Sequence, residues 1–131
     1  MNIKLGLLTI FLLVSSITIF SQTPSCKSLH NGSFKIFDKD AGNTYIKRTD
    51  NVQTETNEKM GFEMTFDVKW VDDCTYELRP KKLIKGDPSM FGDGKGVLTT
   101  KIKTINETNY IAETTSNFSD QTLTFVVKII K

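Results

Sequence analysis

Met60-Gly61-Phe62-Glu63-Met64-Thr65-Phe66-Asp67-Val68-Lys69-Trp70 alternates strictly between large apolar residues and small or polar ones. Met60, Phe62, Met64, Phe66, Val68 and Trp70 share one parity, and Gly61, Glu63, Thr65, Asp67 and Lys69 share the other. Successive strand side chains point to opposite faces, so this period of two predicts a half-buried strand. A helix would scatter the same apolar groups around its circumference. Val71-Asp72-Asp73 reads as a turn. Cys74-Thr75-Tyr76-Glu77-Leu78-Arg79 then alternates again, with Cys74, Tyr76 and Leu78 inward. Pro80 is expected to end that strand, because it has no N–H to give to a ladder. The two runs make a hairpin.

Working outward, the same style continues with less contrast. Residues 33–37 read as a strand with Phe34 and Ile36 inward. Residues 44–49 and 52–56 are two strands around Asp50-Asn51. Residues 97–105 place Leu98, Thr100 and Ile102 on one face. Residues 110–116 return after Asn106-Glu107-Thr108-Asn109, and 122–131 place Leu123, Phe125, Val127 and Ile129 together. No segment after residue 21 has a helical period, and neither a repeat nor a linker divides it. The prediction is one all-β domain over 22–131: an antiparallel meander of about eight strands joined by short turns. It closes as a small barrel or packs as a two-layer sandwich.

Before that domain, Leu5 to Phe20 carries no charge, Lys4 precedes it, and Ser21-Gln22-Thr23-Pro24-Ser25 turns the chain polar. A basic start, an apolar centre and a small exit residue are the layout of a secretory signal peptide, here 1–21 with cleavage after Ser21. The run is shorter than the ~20 residues that span a bilayer core, so no membrane span is expected after cleavage. A lipid anchor on Cys26 is the weaker reading, because Thr23-Pro24-Ser25 is a poor approach to such a site. The expected compartment is the periplasm or the extracellular space. Two cysteines in an oxidising compartment suggest a Cys26–Cys74 disulfide. Closing about 49 residues, it contributes roughly 4 kcal/mol in the chain-entropy model.

Lys4 is the only ionisable side chain in 1–21, so the net charge of +2 falls to +1 without the leader. Near-neutrality argues against a nucleic-acid partner. Lys81, Lys82 and Lys85, with Lys101 and Lys103 on the next strand, read as a solvated edge that resists strand addition. Nucleic-acid binding would also want exposed aromatics beside them, and the aromatics here read as inward.

Asp38-Lys39-Asp40-Ala41-Gly42-Asn43-Thr44 hints at a calcium loop. Its glycine stands one place early, and Thr49 occupies the position where a bidentate glutamate is required. A polar turn is the better reading, and no metal or other cofactor is expected. Gly86-Asp87-Pro88-Ser89-Met90-Phe91-Gly92-Asp93-Gly94-Lys95-Gly96 is glycine-rich but lacks a phosphate loop's Gly-Lys-Ser/Thr ending and its strand–loop–helix context. It reads as a long hairpin loop. The sharper alternative is a binding loop over a barrel mouth, with Lys85, Met90, Phe91 and Lys95 as its contacts. Enzyme chemistry has little support. His30 is the only histidine, both cysteines are spoken for, and Asp72-Asp73 are adjacent turn carboxylates. No catalytic residue is assigned.

Cys26 with Leu29-His30-Asn31-Gly32-Ser33-Phe34, then Arg48-Thr49-Asp50-Asn51-Val52-Gln53-Thr54-Glu55, then Val68-Lys69-Trp70-Val71-Asp72-Asp73-Cys74-Thr75-Tyr76-Glu77-Leu78 resembles a group of small exported β-rich bacterial proteins of the Bacteroidota type. The resemblance covers most of 22–131 and includes both cysteines. It implies a fold style and a compartment, and it transfers no catalytic residue.

The expectation is therefore an exported, non-enzymatic β domain that encloses a small apolar ligand in a lipocalin-like manner. Phe62, Met64, Phe66, Trp70, Tyr76 and Met90 would line the interior, or simply fill it. The alternatives are an envelope accessory that contacts another exported protein through the 81–96 loop or a sheet edge, without a pocket, and, more remotely, a small hydrolase.

Overall fold

The computed structural model describes residues 15–17 and 24–131. The leader assigned to 1–21 falls outside the described residues apart from 15–17. A 3-10 turn, Cys26–Leu29, opens the domain, with the Ser25 side chain accepting from Ser28 N. Eight strands follow: β1 (Gly32–Asp38), β2 (Gly42–Arg48), β3 (Val52–Asn57), β4 (Phe62–Asp72), β5 (Thr75–Lys85), β6 (Leu98–Ile105), β7 (Asn109–Ser116) and β8 (Leu123–Ile130). Each pairs antiparallel with the next, and β8 pairs back onto β1, so the sheet closes into a barrel. Closure satisfies edges that an open sheet would expose.

The strand of the opening sequence alternates as its period requires. Met64, Phe66 and Val68 are buried, and Asp67 and Lys69 are exposed. Met60 departs from the pattern. It lies in the β3–β4 turn at 56% exposure, because its backbone N–H is held there by Asn57 Oδ1. The turn expected at Val71-Asp72-Asp73 starts two residues later, since β4 runs on to Asp72.

Pro80 does not end β5. The strand continues to Lys85 because Pro80 sits beside a bulge: Phe66 faces Pro80 while Thr65 faces Lys82, so Lys81 is the extra residue. On its other side β5 pairs with β6 only from Thr75 to Leu78. A missing donor therefore costs no β5–β6 ladder bond at Pro80. Lys81, Lys82 and Lys85 lie on that unpaired stretch and are exposed, the composition that resists strand addition.

The aromatics do not all turn inward. Phe34 and Ile36 fix the parity of β1, so Phe37 faces out at 70% exposure, and Tyr45 on β2 is 47% exposed.

Meandering strands put alternate connections at opposite ends of the barrel. At one end lie the β2–β3, β4–β5 and β6–β7 turns together with the 3-10 turn. Cys26 and Leu29 are buried there as a plug. The Cys26–Cys74 disulfide, with Cα atoms 5.0 Å apart, ties the plug to the β4–β5 turn. His30 stacks on Trp70 at 3.4 Å between ring centroids, and its Nε2 is 2.9 Å from the Asp73 carbonyl oxygen. The opposite end carries the β1–β2, β3–β4 and β7–β8 turns and the long β5–β6 loop. Among the described residues no helix is long and apolar enough to cross a membrane.

Candidate functional site

Above the plug the interior begins with a layer built around a buried cation. Arg48 ends β2 at 2% exposure. Its Nη1 donates to the Leu29 carbonyl (2.9 Å), its Nε to Gln53 Oε1 (2.8 Å), and its Nη2 to the phenol oxygens of Tyr76 (3.0 Å) and Tyr110 (3.3 Å). The guanidinium also lies 4.6 Å from the ring centres of both Phe34 and Tyr76. Burial works against its charge, but the Tyr76 and Tyr110 oxygens, and Glu55 beyond them, outweigh that and hold it protonated. Burial likewise pushes the Tyr76 phenol well up, so it remains a neutral hydroxyl.

The β2–β3 hairpin sets the next contacts. Its register puts Arg48 opposite Gln53 and Ile46 opposite Glu55. Inward parity on β3 therefore falls on Gln53, Glu55 and Asn57. Asn57 is consumed by turns: its Nδ2 donates to the Ala41 carbonyl and to Thr44 Oγ1, and its Oδ1 accepts from Met60 N. Gln53 relays between charges, accepting from Arg48 and donating from Nε2 to Glu55 Oε1 at 3.4 Å. Burial lifts the Glu55 carboxyl above its ordinary range, against the pull of Arg48 and the Gln53 amide.

Above this layer the barrel opens at its mouth. A cavity of about 610 Å³ is walled by Glu55, Phe62, Met64, Phe66, Pro80 and Leu98. That volume lies inside the range of roughly 300–1,000 Å³ occupied by small-molecule sites. Its roof is the β5–β6 loop from Ser89 to Gly96, together with Asn117 and Phe118 from the β7–β8 turn. Phe118 is 70% exposed and Met90 37%, so the entrance is apolar as well as the walls.

The loop is built rather than slack. Pro88–Met90 forms a 3-10 turn, with Asp87 Oδ1 accepting from Ser89 N at 2.9 Å. The Ser89 backbone N–H and hydroxyl hold the Asp87 carboxyl below its ordinary range. Phe91 packs against the core cluster. Gly86 has φ +125°, and a Cβ there would come 3.0 Å from Phe62 Cβ, so the loop can leave β5 tightly against the cavity wall only with glycine. Asn117 clasps the far end of the loop. Its Nδ2 donates to the Lys95 carbonyl (3.2 Å), its Oδ1 accepts from Val97 N (2.9 Å), and its own N–H donates to the Val97 carbonyl (3.2 Å).

The structure places Phe62, Met64, Phe66 and Met90 around this cavity, with Phe91 and Lys95 in its roof. Lys85 ends β5 and is exposed outside it. Trp70 and Tyr76 do not line it. They pair across the β4–β5 ladder near the plugged end, where Trp70 lies under His30 and Tyr76 bonds Arg48. Trp70 is eight residues from Phe62 along β4, roughly 26 Å at strand rise.

Arg48, Gln53, Glu55, Asn117 and Phe118 were not legible as site residues. A signal existed for the first three: parity counted from Ile46 turns Arg48 inward, and a two-residue turn at Asp50-Asn51 then sets Gln53 across from it.

The Asp38–Thr44 segment is a hairpin turn. Asp38 Oδ1 accepts from Asp40 N (2.8 Å) and Ala41 N (2.7 Å), which hold its carboxyl below the ordinary range. Among the described residues no group of three or more His, Cys, Asp or Glu is placed to hold a metal ion. Compared with protein-family models, curated proteins and solved structures, the chain matches none.

Proposed function

We propose that this chain is an exported, non-enzymatic barrel that holds one small apolar ligand between its Arg48 layer and its β5–β6 loop. The observation that carries the reading is the cavity itself. Phe62, Met64, Phe66, Met90, Phe91, Leu98 and Phe118 converge on a space of about 610 Å³ that the core leaves unfilled. Protein interiors otherwise pack to near-crystal density, so a hollow of this size with an apolar mouth is suited to an occupant. Export is supported by the leader sequence and by the disulfide, a bond that persists in oxidising compartments.

The neutral fluorophore N-phenyl-1-naphthylamine tests the reading directly. Its emission should rise on binding and saturate at one probe per protein. Fatty acids, retinoids and haem provide a competing panel, read by probe displacement and by melting temperature. A ligand at a hundred times its Kd should stabilise the fold by about 2.7 kcal/mol. Met64→Trp, which fills the wall, should abolish probe binding while leaving the fold intact by circular dichroism. Absence of saturable binding by the probe and by every panel member would leave the cavity without a ligand role. The accessory reading, contact with another envelope protein through the 81–96 loop, would then take its place.

A further inference from the structure

Glu55 is the ionisable group on the barrel wall of the cavity; Asp93 and Lys95, also at the site, belong to the loop above. Its ladder neighbours are Ile46 and Met64, so its surroundings at that level are apolar. One carboxyl oxygen takes a long bond from Gln53 Nε2 at 3.4 Å. Among the described residues the other has no protein donor, and Glu55 keeps accessible surface that opens onto the cavity. A polar atom facing an apolar hollow without a partner is costly unless water or an occupant serves it.

The layer beneath fixes what that occupant's head can be. Arg48 spends four of its five N–H donors on the Leu29 carbonyl, Gln53 and the two phenols, so it offers no two-donor fork to an incoming acid. With Glu55 ionised, the charge of Arg48 balances it and the interior pair is neutral. A carboxylate head brought beside that ionised group would meet a like charge. An ammonium head would put two cations over one carboxylate. A hydroxyl adds no charge, donates to Glu55 when that group is ionised, and accepts from it when it is protonated. We infer that the occupant is an uncharged amphiphile, its apolar body under the β5–β6 loop and a hydroxyl head bonded to Glu55. This rests on the ligand-binding reading above and narrows it to a chemical class.

A matched series tests it: 1-decanol, methyl decyl ether, decylamine and decanoate, each displacing N-phenyl-1-naphthylamine from the purified protein at pH 7.5. Decanol should displace the probe at a concentration at least tenfold below each of the others, since the hydrogen bond goes to an ionisable acceptor. In Glu55→Leu that preference over the ether should collapse to within about twofold, with both concentrations scaled to the variant's own probe affinity. Glu55→Gln keeps an acceptor for Gln53 and should retain part of it, which separates loss of the head contact from loss of the fold. Equal displacement by decanol and the ether, or a lead for decanoate or decylamine, overturns the inference and leaves the cavity reading standing. Failure of the probe itself to bind removes both.

Discussion

Arg48 is the residue on which the closed end depends, because four hydrogen-bond partners from four parts of the chain meet its guanidinium. Removing it leaves the Leu29 carbonyl, Gln53 Oε1 and two phenols without their donor in a buried layer. Arg48→Ala should therefore lose about 3–5 kcal/mol of stability in urea titration, the range for breaking a buried charged network. Arg48→Lys should recover little of it, since an ammonium on a flexible stem cannot reproduce a planar fork with donors on three nitrogens. Glu55 makes the complementary prediction in pH. Its folded pKa lies above the ordinary value of 4.5, so the folded state binds the proton more tightly than the unfolded chain does. That contribution is fully present below pH 4.5 and is lost as pH rises through the folded value. Glu55→Gln has no such term. The melting temperature of Glu55→Gln minus that of the natural protein should thus grow as pH increases from about 4 to 8. A difference that is flat or falls with pH would show that burial does not raise the carboxyl's affinity for its proton.

At the scale of elements, β5 and its loop carry the specialisation. β5 has two neighbours for its first four residues and one thereafter. The bulge at Pro80 and the lysines beyond it belong to a strand leaving the ladder, and the loop occupies the roof that a paired β5–β6 end would not have needed. Asn117 closes that loop with three hydrogen bonds from a different connection. Asn117→Ala should remove the two side-chain bonds and cost about 1–2 kcal/mol by thermal unfolding. Its clearer effect should be on hydrogen exchange: amides at 92–97 should exchange faster, while those of β1 and β8 stay protected. Uniform loss of protection would mean that the loop is part of the global fold rather than a separately clasped roof. Reading β5 from its residues went astray at Pro80, because the proline rule presupposes a partner on both sides. Whether a partner exists is settled only by where β6 starts.

For the whole molecule, closure and plugging are linked through one covalent bond. The barrel joins its ends by β1–β8 pairing, and the disulfide fixes the 3-10 plug beneath Trp70 and Tyr76. The double variant Cys26→Ala with Cys74→Ala should lose roughly 4 kcal/mol. Far-UV circular dichroism should remain that of a sheet, while the signal of Trp70, stacked under His30, should change as the plug loosens. Retained stability would show that the plug holds through Arg48 and Leu29 alone. The sequence by itself determined the strand class, most strand positions, the meander and the disulfide pair, because period-two alternation and cysteine chemistry are local properties. Β-structure on β4 was plain since its apolar and polar parities differ sharply. The interior of β3 was hidden for the opposite reason: Val52-Gln53-Thr54-Glu55-Thr56-Asn57 is polar on nearly every position, so its inward face has no contrast. Tertiary structure alone decided that Gln53 and Glu55 point inside, because their burial is tolerable only with Arg48, and Arg48 only with Tyr76 and Tyr110, which lie 28 and 62 residues away. It also decided barrel over sandwich, and it left a cavity at the looped mouth. Those depend on β8 reaching β1 and on the volume the inward side chains leave between them, sums over the whole chain that no single segment contains.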